Sequence, residues 1–83
     1  MKALVMHKGT GDPVTQFEAV VGDDGELYGL YPPMTPLARN RRPRSYFHTL
    51  HKARLAGCNV LYHGYGATPD EARAAARALL PML

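Results

Sequence analysis

Residues 58–80 read CNVLYHGYGATPDEARAAARALL, and they predict a strand followed by a capped helix. Residues 58–65 combine β-branched and aromatic side chains, which favours a strand. Thr68 and Glu71 have the spacing of a capping box, and Pro69 suits the first position of a helix. Apolar residues then recur at helical spacing, which predicts a helix with one face on a sheet. These apolar residues are Ala72, Ala76, Leu79, Leu80 and Leu83.

The first third of the chain predicts three short strands. Residues 2–8 (KALVMHK), 14–21 (VTQFEAVV) and 26–31 (ELYGLY) favour strands and are separated by turn residues. Asp24 and Gly25 form a dipeptide that is typical of a tight hairpin turn. We therefore expect a three-stranded meander, in which the second strand is antiparallel to the first.

A second helix is expected over residues 46–56. Ser45 suits its N-cap, and Gly57 suits the position just after its C-terminus. The element order is then β-β-β-α-β-α, which predicts an α+β fold: a small antiparallel sheet with two helices on one face. Residues 1–83 are expected to form a single domain, in which residues 32–44 are a Pro/Arg-rich basic loop.

The net charge of +3 is unevenly distributed along the chain. Between Leu27 and Pro69 there are six arginines and lysines and no aspartate or glutamate. Such a field attracts polyanions or acidic protein surfaces. Arginine presents a planar fork that matches phosphate oxygens, and aromatic rings offer stacking surfaces for unpaired bases. The predicted binding residues are Arg39, Arg41, Arg42, Arg44, Tyr46, Lys52 and Arg54.

The basic segment admits three interpretations. It could contact the phosphate backbone of nucleic acid, dock on an acidic protein, or form a solvated surface that keeps the protein soluble. No base-reading motif accompanies the arginines, so the three interpretations stay open.

Length and composition disfavour several functional classes. A chain of 83 residues buries only roughly 60% of its unfolded surface, which favours a shallow binding surface over a deep active site. No apolar run is long enough for a membrane helix, and the first residues do not form a secretory signal. The single Cys58 cannot form an internal disulfide. We therefore expect a cytoplasmic protein without a membrane span.

No catalytic residue, metal or cofactor is predicted. The candidate zinc ligands are His48, His51, Cys58 and His63. Their spacing matches no compact zinc module. Cys58 and one of these histidines could form a nucleophile–base pair, but no local motif supports one. Two short glycine-containing segments, Gly9–Gly11 and Gly64–Gly66, do not match a phosphate-binding or dinucleotide-binding loop. Such loops need further glycines and a lysine or an acid at set positions.

The tail at residues 63–80, HGYGATPDEARAAARALL, resembles the ends of two known families. Double-stranded-RNA-binding domains end with a Gly-rich strand exit, a capped turn and an Ala-rich helix. Small HicB-type antitoxins have a similar tail on a partial version of that fold. The RNA-binding family places lysines at the start of this helix, where the present chain has Pro69, Asp70 and Glu71. The closer resemblance is therefore to HicB-type antitoxins, which pair with a toxin.

These observations predict a small non-enzymatic binding protein that contacts the phosphate backbone of nucleic acid through a basic loop–helix surface. The alternative is a phage- or mobile-element-type inhibitor, similar to an antitoxin, that binds a host protein complex such as a nuclease or a CRISPR-type defence complex. The expected partner is thus nucleic acid or an acidic protein surface. A homodimer could form through a sheet edge or the Ala-rich helix.

Overall fold

The computed structural model describes residues 5–9, 11, 15–33 and 44–81, and for Arg44 and Ser45 it describes the backbone alone. In these ranges the elements follow the predicted β-β-β-α-β-α order, so the α+β class is confirmed. The elements are β1 (Met6–Gly9), β2 (Phe17–Gly22), β3 (Leu27–Tyr31), α1 (Arg44–Leu55), β4 (Val60–Gly66) and α2 (Pro69–Ala78).

Strands β2 and β3 form the predicted hairpin. Gly25 has a φ of 84°, a left-handed conformation that glycine adopts without a steric penalty. Its amide donates to the carbonyl of Gly22 at 3.0 Å and closes the turn. The two strands pair antiparallel, with a shift in register after Val20. The turn residues therefore set this pairing locally.

The expected meander is wrong, because β4 lies between β1 and β2. The strand order is β1-β4-β2-β3, and β1 runs parallel to β4 while the other pairs are antiparallel, so the sheet is mixed. Residues 61–64 of β4 are all buried, whereas every residue of β1 is exposed. A strand covered on both faces is stable at the centre of a sheet, and an exposed strand is tolerated at its edge.

The two helices pack on opposite faces of the sheet, and not on one face as expected. Side chains alternate between the two faces along a strand. Val20 of β2 belongs to a core cluster with Ala53 of α1, whereas its neighbour Ala19 belongs to a second cluster with Ala72 of α2. Because both faces of the central strands are apolar, each face needs a helix to cover it.

The predicted N-cap of α2, Thr68, is confirmed, but the Glu71 side chain of the predicted capping box bonds the residue before the cap and not the cap itself. The Thr68 hydroxyl accepts a hydrogen bond from the amide of Glu71 at 3.2 Å. The Glu71 carboxylate in turn accepts from the amide of Ala67 at 3.1 Å, one residue before the cap. Two exposed amides at the start of the helix are thereby satisfied, and Asp70 adds negative charge where the helix dipole favours it.

Helix α2 approaches the sheet closely through alanine and glycine. Ala72 and Ala76 are buried, and a Cβ added at Gly64 would lie 2.0 Å from the amide nitrogen of Ala76. Leu80 packs against the same cluster, but Leu79 is 36% exposed. The predicted apolar stripe thus reaches the sheet in part, and its last member, Leu83, lies outside the described residues.

Helix α1 begins at Arg44, one residue before the predicted cap Ser45, and it ends before Gly57 as predicted. Gly57 has a φ of 86°, and the following amide of Cys58 donates to the carbonyl of Ala53 at 3.0 Å. This is the hydrogen-bond pattern of a Schellman motif, in which glycine relieves the strain of the left-handed residue.

Most of the predicted basic loop at 32–44 lies outside the described residues. The structure describes Pro32, Pro33 and the backbone of Arg44, while residues 34–43 are not described. In the ranges that are described, no helix is long and apolar enough to cross a membrane.

Candidate functional site

A chain of hydrogen bonds links three ionisable side chains from three neighbouring strands. His7 Nδ1 lies 2.6 Å from His63 Nε2, and His63 Nδ1 lies 2.6 Å from Glu18 Oε2. His7 is on β1, His63 on β4 and Glu18 on β2, which is the order of these strands in the sheet. The side chains share the face of the sheet that α1 covers, so the sheet pairing alone brings them into line.

Burial increases along this chain from His7 to Glu18. His7 is exposed, the side chain of His63 is 9% exposed and that of Glu18 is 2% exposed. A carboxylate this buried is costly unless it is paired and hydrogen-bonded. We therefore assign the proton on His63 Nδ1 to the bond with Glu18, since an ionised carboxylate can only accept. When His63 carries only this proton, its Nε2 accepts from the Nδ1–H of His7.

Two tyrosines flank the His7–His63–Glu18 chain. The Tyr46 hydroxyl, from the first turns of α1, lies 3.3 Å from His7 Nδ1, and the two rings stack with centroids 5.9 Å apart. The Tyr65 hydroxyl donates to Glu18 Oε2 at 3.2 Å. Glu18 Oε2 thus accepts from two side chains, which stabilises its ionised form.

A cavity of about 370 Å³ opens beside this chain. Its volume falls in the range of small-molecule sites, roughly 300–1,000 Å³. At one side of the cavity Gly9 lies so close to β4 that a Cβ there would be 2.6 Å from the carbonyl oxygen of His63. The residues that line it are His7, Lys8, Gly9, Glu18, Tyr46, His63 and Tyr65.

A second groove, of about 510 Å³, lies between β3 and α1. At its floor the hydroxyls of Tyr31 and Thr49 are hydrogen-bonded, and Thr49 also donates to the carbonyl of Tyr28 at 3.3 Å. Lys52 and His48 from the exposed side of α1 border the same groove. The groove therefore combines an aromatic floor with a basic rim.

Cys58 is buried beside the hairpin turn, where its thiol contacts the hydroxyl of Tyr28. Burial raises the pKa of the Cys58 thiol, and its Sγ lies 3.6 Å from the Tyr28 hydroxyl. The bond that Tyr28 donates to Asp24 raises the pKa of the tyrosine. Burial works against the ionised form of Asp24, but the hydrogen bonds from Tyr28 and from the Glu26 amide outweigh it and lower the pKa of that carboxyl. A thiol with a raised pKa is a poor nucleophile.

The solvent face of α1 carries positive charge and no carboxylate. Its exposed ionisable residues all belong to basic or histidine types, and none is an aspartate or glutamate. Phe47 is 60% exposed beside them, and its ring forms a T-shaped pair with Tyr46 in which the ring centroids lie 6.2 Å apart. The exposed ionisable residues of the described helix are His48, His51, Lys52 and Arg54.

The structure describes the side chains of three of the seven predicted binding residues, and each lies in a different setting. Tyr46 lines the first cavity, Lys52 borders the groove and Arg54 is exposed on α1. Arg44 is the first residue of α1, and the structure describes its backbone but not its side chain. Arg39, Arg41 and Arg42 also lie outside the described residues.

The four candidate zinc ligands do not come together. His48 and His51 are exposed on α1, Cys58 contacts Tyr28, and His63 lies with His7 and Glu18. Among the residues that the structure describes, no group of three or more histidine, cysteine or acidic side chains is arranged to hold a metal ion.

Neither His7 nor Glu18 is marked by a sequence motif. Glu18 carries one weak signal, because it is the sole charged residue of the otherwise apolar β2, FEAVVG. His7 carries none, since it is 56 positions from His63 in the chain. Nonlocal strand pairing is what makes these residues neighbours.

No family model, curated protein or solved structure matches this chain. The likeness of residues 63–80 to HicB-type antitoxins and to double-stranded-RNA-binding domains therefore stays an expectation from the sequence.

Proposed function

We propose that this protein binds nucleic acid through its phosphate backbone, and that the solvent face of α1 is the binding surface. The observation that carries this proposal is the composition of that face: histidine, lysine and arginine are exposed on it, and no carboxylate opposes them. Lys52 and Arg54 are the described residues that supply fixed positive charge. Phosphate contacts of this kind dominate the affinity of proteins for nucleic acid.

The sequence immediately before α1 is also basic. Arg39, Arg41, Arg42 and Arg44 lead directly into α1 along the chain. On helix α2, by comparison, Arg73 forms an ion pair with Asp70 of the same helix. In α1 and in the segment before it, the sequence contains no acid that could pair with the basic residues in this way.

Single-stranded nucleic acid fits this surface better than a duplex does. The exposed Phe47 ring stands among the basic residues of α1, next to Tyr46. Unpaired bases can stack on such rings, and stacking contributes roughly 1–3 kcal/mol per base without selecting a sequence. Bases inside a duplex are not available for that contact.

The proposal is tested by fluorescence anisotropy with a labelled 20-nucleotide single strand, as RNA and as DNA, over a series of salt concentrations. Binding should weaken linearly in a plot of log K against log salt. The double variant Lys52→Ala/Arg54→Ala should weaken binding and flatten the slope by about 0.7 for each lost contact with a single strand. The variant Arg41→Ala/Arg42→Ala/Arg44→Ala should do the same.

The matched control is Arg73→Ala/Arg77→Ala. It removes the same number of charges as Lys52→Ala/Arg54→Ala, but from α2 on the opposite face of the sheet. An equal loss in both double variants would mean that net charge alone attracts the strand, and binding that ignores salt would contradict phosphate contacts altogether.

The second candidate is the inhibitor or antitoxin-like protein that binds a host protein complex. The open sheet favours it, because β1 and β3 are edge strands in the described part of the chain and edge strands can pair with a partner strand. Purification from host lysate with nuclease treatment separates the two candidates. A discrete protein complex that survives nuclease would support this candidate, and loss of all bound material with nuclease would support the first.

A further inference from the structure

We propose that the His7–His63–Glu18 chain is a proton relay that cleaves RNA, with His7 as the general base. This inference rests on the proposed binding of nucleic acid and adds a reaction to it. In this assignment His7 and Tyr46 are the catalytic residues, while His63 and Glu18 are positioning residues that act through His7.

The assigned tautomers set the direction of the relay. Glu18 accepts from His63 Nδ1–H, and His63 Nε2 accepts from His7 Nδ1–H, each across 2.6 Å. This assignment makes Nε2 the basic nitrogen of His7. When His7 takes up a proton, the imidazolium can share its Nδ1 proton with His63, and the buried carboxylate stabilises the positive charge. A base oriented by a second group, which is oriented by a third, is the arrangement that general-base catalysis requires.

The burial of this chain points to function and not to stability. A buried carboxylate and its partner are commonly no more stabilising than apolar residues of the same size. Apart from the hydrogen-bonded hydroxyls of Tyr31 and Thr49, the rest of the core on this face is apolar, with Val20, Leu61 and Ala53 completely buried. A relay that runs from a buried Glu18 to an exposed His7, beside a cavity of about 370 Å³, instead has the layout of a site that exchanges protons with a ligand.

RNA is the substrate class that this chemistry suits, because RNA carries its own nucleophile. Each ribose has a 2′-hydroxyl next to the phosphodiester, so cleavage requires only that one proton is removed and another is supplied. The site provides a base in His7 and a hydroxyl donor in Tyr46, whose oxygen lies 3.3 Å from His7 Nδ1. DNA lacks the 2′-hydroxyl and would be bound without being cleaved.

The step balances as follows. His7 takes the proton of the 2′-hydroxyl, and the 2′-oxygen forms a bond to the neighbouring phosphorus. The bond from phosphorus to the 5′-oxygen of the next nucleotide breaks, and its electron pair goes to that oxygen. Tyr46 protonates the 5′-oxygen, and the resulting tyrosinate takes the Nδ1 proton of His7 across 3.3 Å. Because His7 is exposed, proton exchange with water then moves its remaining proton from Nε2 back to Nδ1 and restores the starting tautomer. The products are a 2′,3′-cyclic phosphate and a 5′-hydroxyl end.

The experiment compares a fluorescent single-stranded RNA with a strand of the same sequence that carries 2′-O-methyl groups throughout. Both strands present the same phosphates, but only the first has the nucleophile. We expect cleavage of the RNA to products with 2′,3′-cyclic phosphate ends, identified by mass spectrometry, while the methylated strand is bound and stays intact.

His7→Ala should lower the cleavage rate at saturating RNA by at least about 100-fold. Its Kd for the methylated strand should change by less than about threefold, because phosphate contacts supply the affinity. His7 is exposed on an edge strand, so this variant should fold. Tyr46→Phe removes the proposed donor without touching the buried pair and should also lower the rate.

Glu18→Gln tests the relay itself. Without the carboxylate, the protonated form of His7 loses the stabilisation that Glu18 provides through His63. The rising limb of the pH–rate profile should therefore move to lower pH while the maximal rate falls. A purely structural role for Glu18 would lower the rate without moving that limb. If Glu18→Gln does not fold, the effects of His7→Ala and Tyr46→Phe still decide the proposal.

Each other outcome overturns the proposal in a recognisable way. RNA that is bound but stays intact would overturn the relay and leave nucleic-acid binding in place. RNA that is neither bound nor cleaved would overturn both. Cleavage that is equally fast in His7→Ala, or cleavage that a chelator stops and zinc restores, would overturn the role of His7 as a base.

Discussion

The two faces of the sheet are built on different principles. The α2 face is packed from small apolar residues, and Gly64 lets the helix backbone approach the strand directly. The α1 face holds a buried carboxylate, a buried histidine and a pair of buried hydroxyls. The stability of the first face depends on close packing, whereas the stability of the second depends on hydrogen bonds.

This difference separates the scaffold from the candidate site. Alanine and glycine leave no polar group to satisfy, so the α2 face can stabilise the fold at low cost in side-chain entropy. Each buried polar group on the α1 face must instead be paired or it destabilises the protein. Natural sequences retain such groups where they have a function, so the α1 face is where ligand contacts and chemistry are expected.

The largest expected effect is on the α2 face. Gly64→Ala would place a Cβ 2.0 Å from the amide nitrogen of Ala76, and backbone on both sides would have to move. We expect a loss of about 3 kcal/mol or more in the free energy of unfolding, measured by urea denaturation. A domain of this size has only roughly 4–12 kcal/mol in total.

Gly57→Ala is the matched control for that substitution. A Cβ at Gly57 would meet nothing within 4 Å, but its φ is 86°. The expected loss is about 1 kcal/mol, because alanine is strained in the left-handed region. If both variants lost the same free energy of unfolding, close packing of α2 would not be what determines the stability of this face.

The next effect is on the α1 face and comes from a hydrogen bond. Thr49→Val keeps the shape of the side chain but removes the hydroxyl that bonds Tyr31 and donates to the carbonyl of Tyr28. We expect a loss of about 1–3 kcal/mol in urea denaturation. Thr49→Ser keeps the hydroxyl and should lose less. A larger loss for Thr49→Ser than for Thr49→Val would mean that side-chain volume, and not hydrogen bonding, determines the stability of the α1 face.

A smaller effect is expected at the start of α2. Thr68→Ala removes the hydroxyl that accepts from the Glu71 amide at 3.2 Å. The loss should be about 1 kcal/mol, and Thr68→Ser should restore most of it. No loss in the alanine variant would show that Glu71 and Asp70 cap this helix without the hydroxyl.

The smallest effect is a pH dependence at the hairpin turn. The pKa of Asp24 is lowered in the folded protein, so its ionised form stabilises the fold above the ordinary aspartate range, and this contribution is lost as pH falls through the folded pKa. In urea denaturation, Asp24→Asn should therefore lose stability less steeply than wild type on acidification below about pH 4. The difference should stay below about 1 kcal/mol, because solvent screens an exposed pair.

The local elements of this fold could be predicted from the sequence, whereas their arrangement could not. The cap at Thr68 and the turn at Gly25 act over a few residues, so they identify α2 and the β2–β3 hairpin directly. The central place of β4 depends on burial of both its faces by helices far away in the chain. A local pattern does not contain that information.

The candidate site shows the same limit more sharply. Tyr46 and Lys52 could be singled out because they belong to a basic segment with aromatic residues. His7 and Glu18 could not, because each is a single residue in a short strand. Glu18 is 45 positions from His63, and only the pairing of β2 with β4 brings the two together.

The most direct test of the account is to locate the binding surface by NMR. A ¹⁵N-labelled sample is titrated with the 2′-O-methyl single strand, and amide shifts are followed along the chain. We predict that the largest shifts fall on α1, residues 44–55, while α2, residues 69–78, stays unchanged. Shifts that concentrate on α2, or a titration that moves no amide, would contradict the assignment of nucleic-acid binding to the solvent face of α1.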